Sequence, residues 1–129
     1  MNQRPRAQEL LAIARDTFTA DILPALPDRL RYLGLMIANA MGIAQREVEA
    51  GAAPARAEFE RLRKLLHDPA EAVSVDALDA ALTAYNHRLA REIRAGQFDG
   101  QERSTLLDHL RQTTADKLAV SNPRALNAK

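Results

Sequence analysis

Three polar side chains fall at positions that should face inward on their predicted helices, namely Asn39, Asn86 and Lys117. A buried amide or ammonium group is costly unless it finds hydrogen bonds or water. One interpretation is that these side chains bond to one another or cap loops, as buried polar groups usually do. The other is a pocket between helices for an anion or small molecule, in which Lys117 supplies the charge and the amides orient the ligand. The residues alone leave both interpretations open.

Four charged residues near predicted helix ends could support such a pocket. Arg46 and Glu47 lie near the end of the second helix, where they either line the pocket or act as ordinary end-of-helix charges. Arg94 and Arg124 would either neutralise the C-terminus of a helix or help to hold an anion. Nothing in the sequence separates these roles.

The patterns that carry catalysis or metal binding are missing from the sequence. His67, His87 and His109 lie on different predicted helices, without the His-Glu-x-x-His or Glu-x-x-His spacing of zinc and di-iron sites. There is also no glycine-rich phosphate loop, no Gly-x-Ser-x-Gly elbow and no cysteine. We therefore expect no metal and no cofactor, name no catalytic residue, and favour a binding or assembly role over catalysis.

Composition limits the partners and the compartment. The chain has 129 residues with 18 basic and 17 acidic side chains, so its net charge of +1 creates no field that would attract nucleic acid. The longest apolar run covers about 12 residues, which is well short of the ~20 that cross a bilayer. Charged residues interrupt the N-terminal region where a signal peptide would be apolar. We expect a cytoplasmic protein that binds neither nucleic acid nor a membrane.

The element that must position the polar residues is the second predicted helix, over about 28–50. Between Leu33 and Ala44 it has no charged residue, and Asn39 is its one fully polar residue. A helix that is apolar on all sides is usually surrounded by other elements, so we expect this helix to be central and its middle to be enclosed.

The other apolar stripes predict four more helices around the second one. The first runs from about Pro5 to Leu23, where prolines stop it, and the third starts near Pro54. The fourth ends at Gly96 and the fifth before Asn122-Pro123. The sequence therefore predicts an all-α protein: a single domain over 1–129, built as an antiparallel bundle of about five helices, with a flexible tail over 124–129.

Three stretches of the chain resemble a family of short, all-helical bacterial proteins known as a domain of unknown function. They are PALPDRLRYLGLMIANAMGIAQRE, NHRLAREIRAG and DHLRQTTADKLAVSNP, and the resemblance runs from Arg4 to about Leu126. It implies gene neighbours that encode aminoglycoside-phosphotransferase-like kinases and acyl-CoA dehydrogenases. It also implies a set of recurrent polar positions, which we take as the ligand-binding or docking candidates: Asn39, Arg46, Glu47, Asn86, Arg94, Lys117 and Asn122.

Two functional hypotheses follow. The first is a non-enzymatic accessory protein that binds a kinase-like or acyl-CoA dehydrogenase partner, as a homodimer or in a heterocomplex. The second is a binding protein for an anionic small molecule, either acyl-CoA-like or phosphorylated, held between helices by Lys117 and the asparagines.

Overall fold

The computed structural model describes residues 4–127, and every regular element in that range is a helix. The prediction of an all-α protein with about five helices is confirmed. Three short helical segments accompany the main helices: a π-helix over Phe18–Ile22 and 3-10 helices over Leu23–Ala25 and Pro123–Asn127. The α-helices are α1 (Ala7–Thr17), α2 (Asp28–Ala50), α3 (Ala53–Leu65), α4 (Val75–Arg94) and α5 (Arg103–Ser121).

The segment predicted as one helix from Pro5 to Leu23 changes its helical type before it ends. α1 stops at Thr17, and at the end of the π-helix the Leu23 amide donates to the carbonyl of Phe18. Pro24 follows in a 3-10 helix and has no amide hydrogen with which to continue an α-helical ladder. Prolines do mark the end of this segment, but its regular α-helix is shorter than the sequence predicts.

The chain divides into two compact units. The first unit is Met1–Gly51 with Leu118–Lys129, and the second unit is Ala52–Lys117. The last residues of α5 and the 3-10 helix that follows therefore belong to the first unit. The prediction of one domain with a flexible tail over 124–129 stays a prediction. Within that tail, residues 124–127 lie in the last 3-10 helix, and the final two residues lie outside the described range.

In the first unit, α1 and α2 pack side by side as an antiparallel pair. Phe18, just after α1, lies near Gly34, whereas Arg15, earlier in the chain, lies near Gly42. The buried residues of α2 are all small and are spaced four apart: Gly34, Ala38 and Gly42. A side of α2 without bulky side chains lets the two helix backbones come close.

The large apolar side chains of α2 lie on its exposed sides. The expectation that neighbouring helices enclose the middle of α2 is therefore wrong, although the helix has the predicted bounds of 28–50. The physical reason is that α1 and the segment between α1 and α2 pack against the smallest residues of α2 and leave the large side chains outside. The exposed fractions are 70% for Tyr32, 55% for Leu33, 53% for Leu35, 52% for Met36 and 50% for Ile37.

The second unit contains a hydrophobic core between α3, α4 and the start of α5. Leu62 on α3 is fully buried at its centre, and Phe59 stacks on Tyr85 of α4 with ring centroids 5.3 Å apart. The buried members of this core are Phe59, Leu62, Leu65, Leu66, Leu78, Leu82, Leu89, Phe98 and Leu106.

Two helices of the second unit end in the same kind of turn with different residues at its left-handed position. That residue is Gly96 (φ 83°) after α4 and His67 (φ 52°) after α3. In each turn the next amide donates to the carbonyl five residues back, at 3.1 and 2.9 Å. Glycine adopts a positive φ without strain, whereas a side chain there costs about 1 kcal/mol. The His67 ring lies beside α5, with its Nε2 2.7 Å from Oε1 of Glu102.

Candidate functional site

A polar cavity of about 400 Å³ lies in the first unit and has three arginines in its wall. α1 contributes one lining residue, α2 contributes two, and the end of α5 with the following 3-10 helix contributes four. The lining residues are Arg15, Asn39, Arg46, Ser121, Asn122, Pro123 and Arg124. We call this cavity the arginine pocket.

Gly42 brings two of these guanidinium groups together. Asn39 and Arg46 are seven residues apart on α2, which places them on one side of the helix, and Gly42 lies between them. A Cβ atom added at Gly42 would lie 3.2 Å from Nε of Arg15 and 3.4 Å from Nη1 of Arg46. Both guanidinium groups therefore lie over the bare backbone of this glycine.

Arg46 is held in place by the end of α5. Its Nε donates to the carbonyl oxygen of Val120 at 2.7 Å, which satisfies one of the last carbonyls of that helix. The chain then turns, because the Asn122 amide donates to Leu118 and the Ala125 amide donates to Asn122, at 2.8 and 3.1 Å. This turn carries Arg124 to the wall of the arginine pocket.

Among the residues that the structure describes, no acidic side chain balances the positive charges of the arginine pocket. No carboxylate lines the cavity, and none lies within 4.0 Å of Arg15, Arg46 or Arg124 in the described part of the chain. Some other arginines differ in this respect; Arg63, for example, pairs with Glu60 at 2.8 Å. The lining therefore carries three positive charges around one cavity.

The structure brings together three of the seven predicted site residues, Asn39, Arg46 and Asn122. Glu47 follows Arg46 but is exposed and does not line the pocket. The remaining three, Asn86, Arg94 and Lys117, belong to the second unit and are exposed.

The predicted inward orientation of Asn39, Asn86 and Lys117 is wrong, because all three are exposed. On α2 the side predicted to be buried, which includes Asn39, is exposed, because the buried side carries the small residues of the helix. Asn86 lies at the edge of the buried face of α4, where its Nδ2 is 3.5 Å from Oε1 of Glu58. Lys117 does not line the arginine pocket, whose positive charges come from three arginines.

Sequence reasoning missed Arg15. A single arginine in the last turn of an amphipathic helix is typical of a surface charge near a helix C-terminus. The available signal was Gly42, because a glycine inside a helix costs about 1 kcal/mol relative to alanine and so needs a packing reason.

A second cavity, of about 480 Å³, lies within the second unit, and four of its polar lining residues are bonded in pairs: Arg61 to His109 and His67 to Glu102. Arg61 donates from Nε to Nδ1 of His109 at 3.2 Å and from Nη2 to Oγ1 of Thr113 at 3.1 Å. Burial of His109, and next the nearby charge of Arg61, lower the pKa of this imidazole, while Glu58 opposes the shift. Since Arg61 and His109 satisfy each other, we read this cluster as a structural network.

The exposed side of α2 forms a second surface feature. Its centre line follows residues spaced alternately four and three apart, as in the seam of a coiled coil, with a charge at each end. We call these residues the α2 stripe: Arg29, Leu33, Met36, Ala40, Ile43 and Glu47. All are exposed except Ile43, which is partly exposed.

The described residues contain no candidate membrane-spanning helix and no candidate metal site. No helix among them has the length and hydropathy that a bilayer-spanning segment requires. No three acidic or histidine side chains in the same range come together as a metal site would require.

Comparison with known proteins identifies a family and no further relative. The model of one protein family, described as a domain of unknown function (DUF6285), matches residues 24–125. No curated protein and no solved structure matches the chain. Because the family match covers well over half of the sequence, the chain belongs to the DUF6285 family.

Proposed function

We propose that this chain is a cytoplasmic, non-enzymatic interaction protein that assembles as a homodimer through the α2 stripe. The observation that carries the proposal is the exposure of Leu33 and Met36, the large apolar side chains in the middle of the stripe, at 55% and 52%. Tyr32 and Ile37, on either side of them around the helix, are also exposed, at 70% and 50%. Scattered exposed apolar residues are ordinary, but a contiguous patch marks a surface that another molecule covers.

The α2 stripe is complementary to itself in one arrangement. Its centre lies at position 38, so a second copy packed antiparallel about that point pairs residues whose numbers sum to 76. Leu33 then faces the partner's Ile43, and Met36 faces the partner's Ala40, which sets a large side chain against a small one. Such layers fill space without leaving cavities.

The charges at the two ends support the same arrangement. Arg29 and Glu47 are 18 positions apart, about 27 Å along the helix. Antiparallel packing brings each Arg29 to the partner's Glu47, whereas parallel packing would place like charges together. Neither residue forms an ion pair with another described residue. The end charges of the stripe therefore favour a second copy of this chain as the partner, packed in the antiparallel direction.

The family resemblance suggests which kind of enzyme the dimer would bind. We propose that the dimer serves as an accessory protein to a phosphotransferase-like kinase or an acyl-CoA dehydrogenase, as the implied gene neighbourhood suggests. In this view the stripe holds the two copies together and other surfaces contact the enzyme.

Sedimentation velocity over a micromolar concentration range tests the dimer. Met36→Glu places a carboxylate at the centre of the stripe and should give a monomer, because a buried unpaired charge is strongly unfavourable. Val75→Glu is the matched control, since Val75 is 54% exposed and lies in the second unit. It should leave the dimer intact, and circular dichroism should show the native helix content in both variants.

Charge exchange tests the direction of packing. Arg29→Glu and Glu47→Arg should each weaken the dimer by roughly tenfold, and the double exchange should restore it, because exposed pairs contribute about 0.2–1 kcal/mol each. A wild-type monomer at these concentrations would overturn the homodimer. If a co-expressed enzyme then binds wild type but not Met36→Glu, the stripe docks the enzyme directly.

A further inference from the structure

We infer that the arginine pocket is a binding site for a small organic anion that carries phosphate or carboxylate groups. This inference is independent of the proposed dimer, because no residue of the α2 stripe lines the pocket. It replaces the Lys117-centred pocket expected from the sequence with one built on Arg15, Arg46 and Arg124.

The chemistry of the ligand follows from the lining. Each guanidinium presents a planar set of N–H donors that matches the oxygens of a phosphate or a carboxylate, often through two hydrogen bonds. Arg46 uses its Nε for Val120, so its terminal nitrogens are left for a ligand. The guanidinium groups of Arg15 and Arg124 form no hydrogen bond or ion pair within the described residues, so their N–H donors are available to a ligand.

The charge and size of the cavity narrow the ligand further. Three guanidinium groups with no carboxylate among the described lining residues repel one another, and an anion of charge −2 or −3 would relieve that repulsion. A volume of about 400 Å³ lies in the range of small-molecule pockets, about 300–1,000 Å³. The amides of Asn39 and Asn122 can donate to or accept from polar groups on the body of the ligand. A multiply charged metabolite fits these features better than a lone inorganic ion.

Isothermal titration calorimetry in low-salt buffer tests the site with pyrophosphate and citrate as probes. Low salt is needed because screening weakens charge pairs in an open pocket. Wild type should bind at least one probe with a Kd below about 1 mM. Preference for pyrophosphate assigns a phosphate ligand, and preference for citrate assigns a polycarboxylate.

Variants separate the pocket from general charge. Arg15→Gln and Arg124→Gln should each weaken probe binding by about tenfold or more, and neither change removes a hydrogen bond of the fold. Arg91→Gln is the matched control, because Arg91 is exposed, forms no ion pair with a described residue and lies in the second unit. It should change the Kd by less than about twofold.

Two results would overturn the inference. One is the absence of binding heat and of any rise in melting temperature with either probe at millimolar concentration, since a ligand of the folded state must raise that temperature. The other is an equal loss of affinity in Arg91→Gln, which would indicate attraction by net charge alone. Dissociation of the dimer by Met36→Glu has no bearing on this test, so the two proposals can fail separately.

Discussion

Replacing two glycines of α2 by alanine should give opposite changes in stability. Alanine is favoured over glycine inside a helix by about 1 kcal/mol, and this gain applies equally at Gly34 and Gly42. The contacts differ. A Cβ at Gly34 would lie 2.6 Å from Cδ1 of Leu23 and 2.7 Å from Cδ1 of Leu26, whereas at Gly42 the nearest atom, Nε of Arg15, is 3.2 Å away.

The magnitudes follow from those distances. At Gly34 two leucine methyl groups must move by roughly 1 Å, and overpacking of this kind costs about 1–3 kcal/mol. After the helix gain is subtracted, Gly34→Ala should lower the free energy of unfolding by about 1 kcal/mol. At Gly42 the flexible end of an arginine needs to shift by a few tenths of an ångström, so Gly42→Ala should raise the free energy of unfolding by about 0.5 kcal/mol.

Urea denaturation followed by circular dichroism, at one fixed protein concentration, measures the difference between the two variants. A fixed concentration is required because dimerisation would otherwise contribute to apparent stability. We expect the midpoints to move in opposite directions from wild type, with a gap of roughly 1.5 kcal/mol between the variants. If Gly34→Ala proves as stable as Gly42→Ala, then Leu23 and Leu26 do not pack this closely against α2 and the reasoning is refuted.

Three further predictions concern the second unit. Leu62→Ala should lower the free energy of unfolding by about 2–5 kcal/mol in urea, because Leu62 is fully buried, whereas Leu110→Ala, at 40% exposure, should cost much less. Burial and the charge of Arg61 lower the pKa of His109 below 6.5 in the folded protein, so the unfolded chain takes up the proton first as the pH falls. The free energy of unfolding should therefore have its full value above pH 6.5 and decrease at lower pH. His109→Gln should remove this pH dependence. His67→Gly should melt higher than His67→Ala by the equivalent of about 1 kcal/mol, since both lose the imidazole and only glycine relieves the positive φ.

The fold class could be predicted because local signals fix helix boundaries. α2 begins directly after Pro27 and ends at Gly51, which takes a positive φ of 61°, and both residues are visible in the sequence. Which side of a helix is buried depends instead on what packs against it. The apolar pattern of α2 could not reveal that its buried residues are Gly34, Ala38 and Gly42, the side against which α1 and the segment after it pack.

The arginine pocket could be predicted only in part for the same reason. Asn39 and Arg46 lie seven residues apart on one helix, and this spacing places them on the same side. Asn122 directly precedes Pro123, and an Asn-Pro pair marks a helix end in the sequence. Arg15 reaches the pocket because α1 folds back along α2, which is a long-range contact. No local pattern distinguishes it from any other exposed arginine.

The sides of α2 together explain why a helix without charges between Leu33 and Ala44 is not a core helix here. The side with the smallest residues is covered by α1 and the segment that follows it. The polar side at Asn39 and Arg46 faces a pocket completed by the C-terminal segment. The side with Leu33 and Met36 is left exposed. Burying a large apolar side chain contributes about 1.5–3 kcal/mol, so covering several of them would strongly favour association. The same helix would then carry an intramolecular contact, an anion site and a contact between copies, each on a different side of the helix.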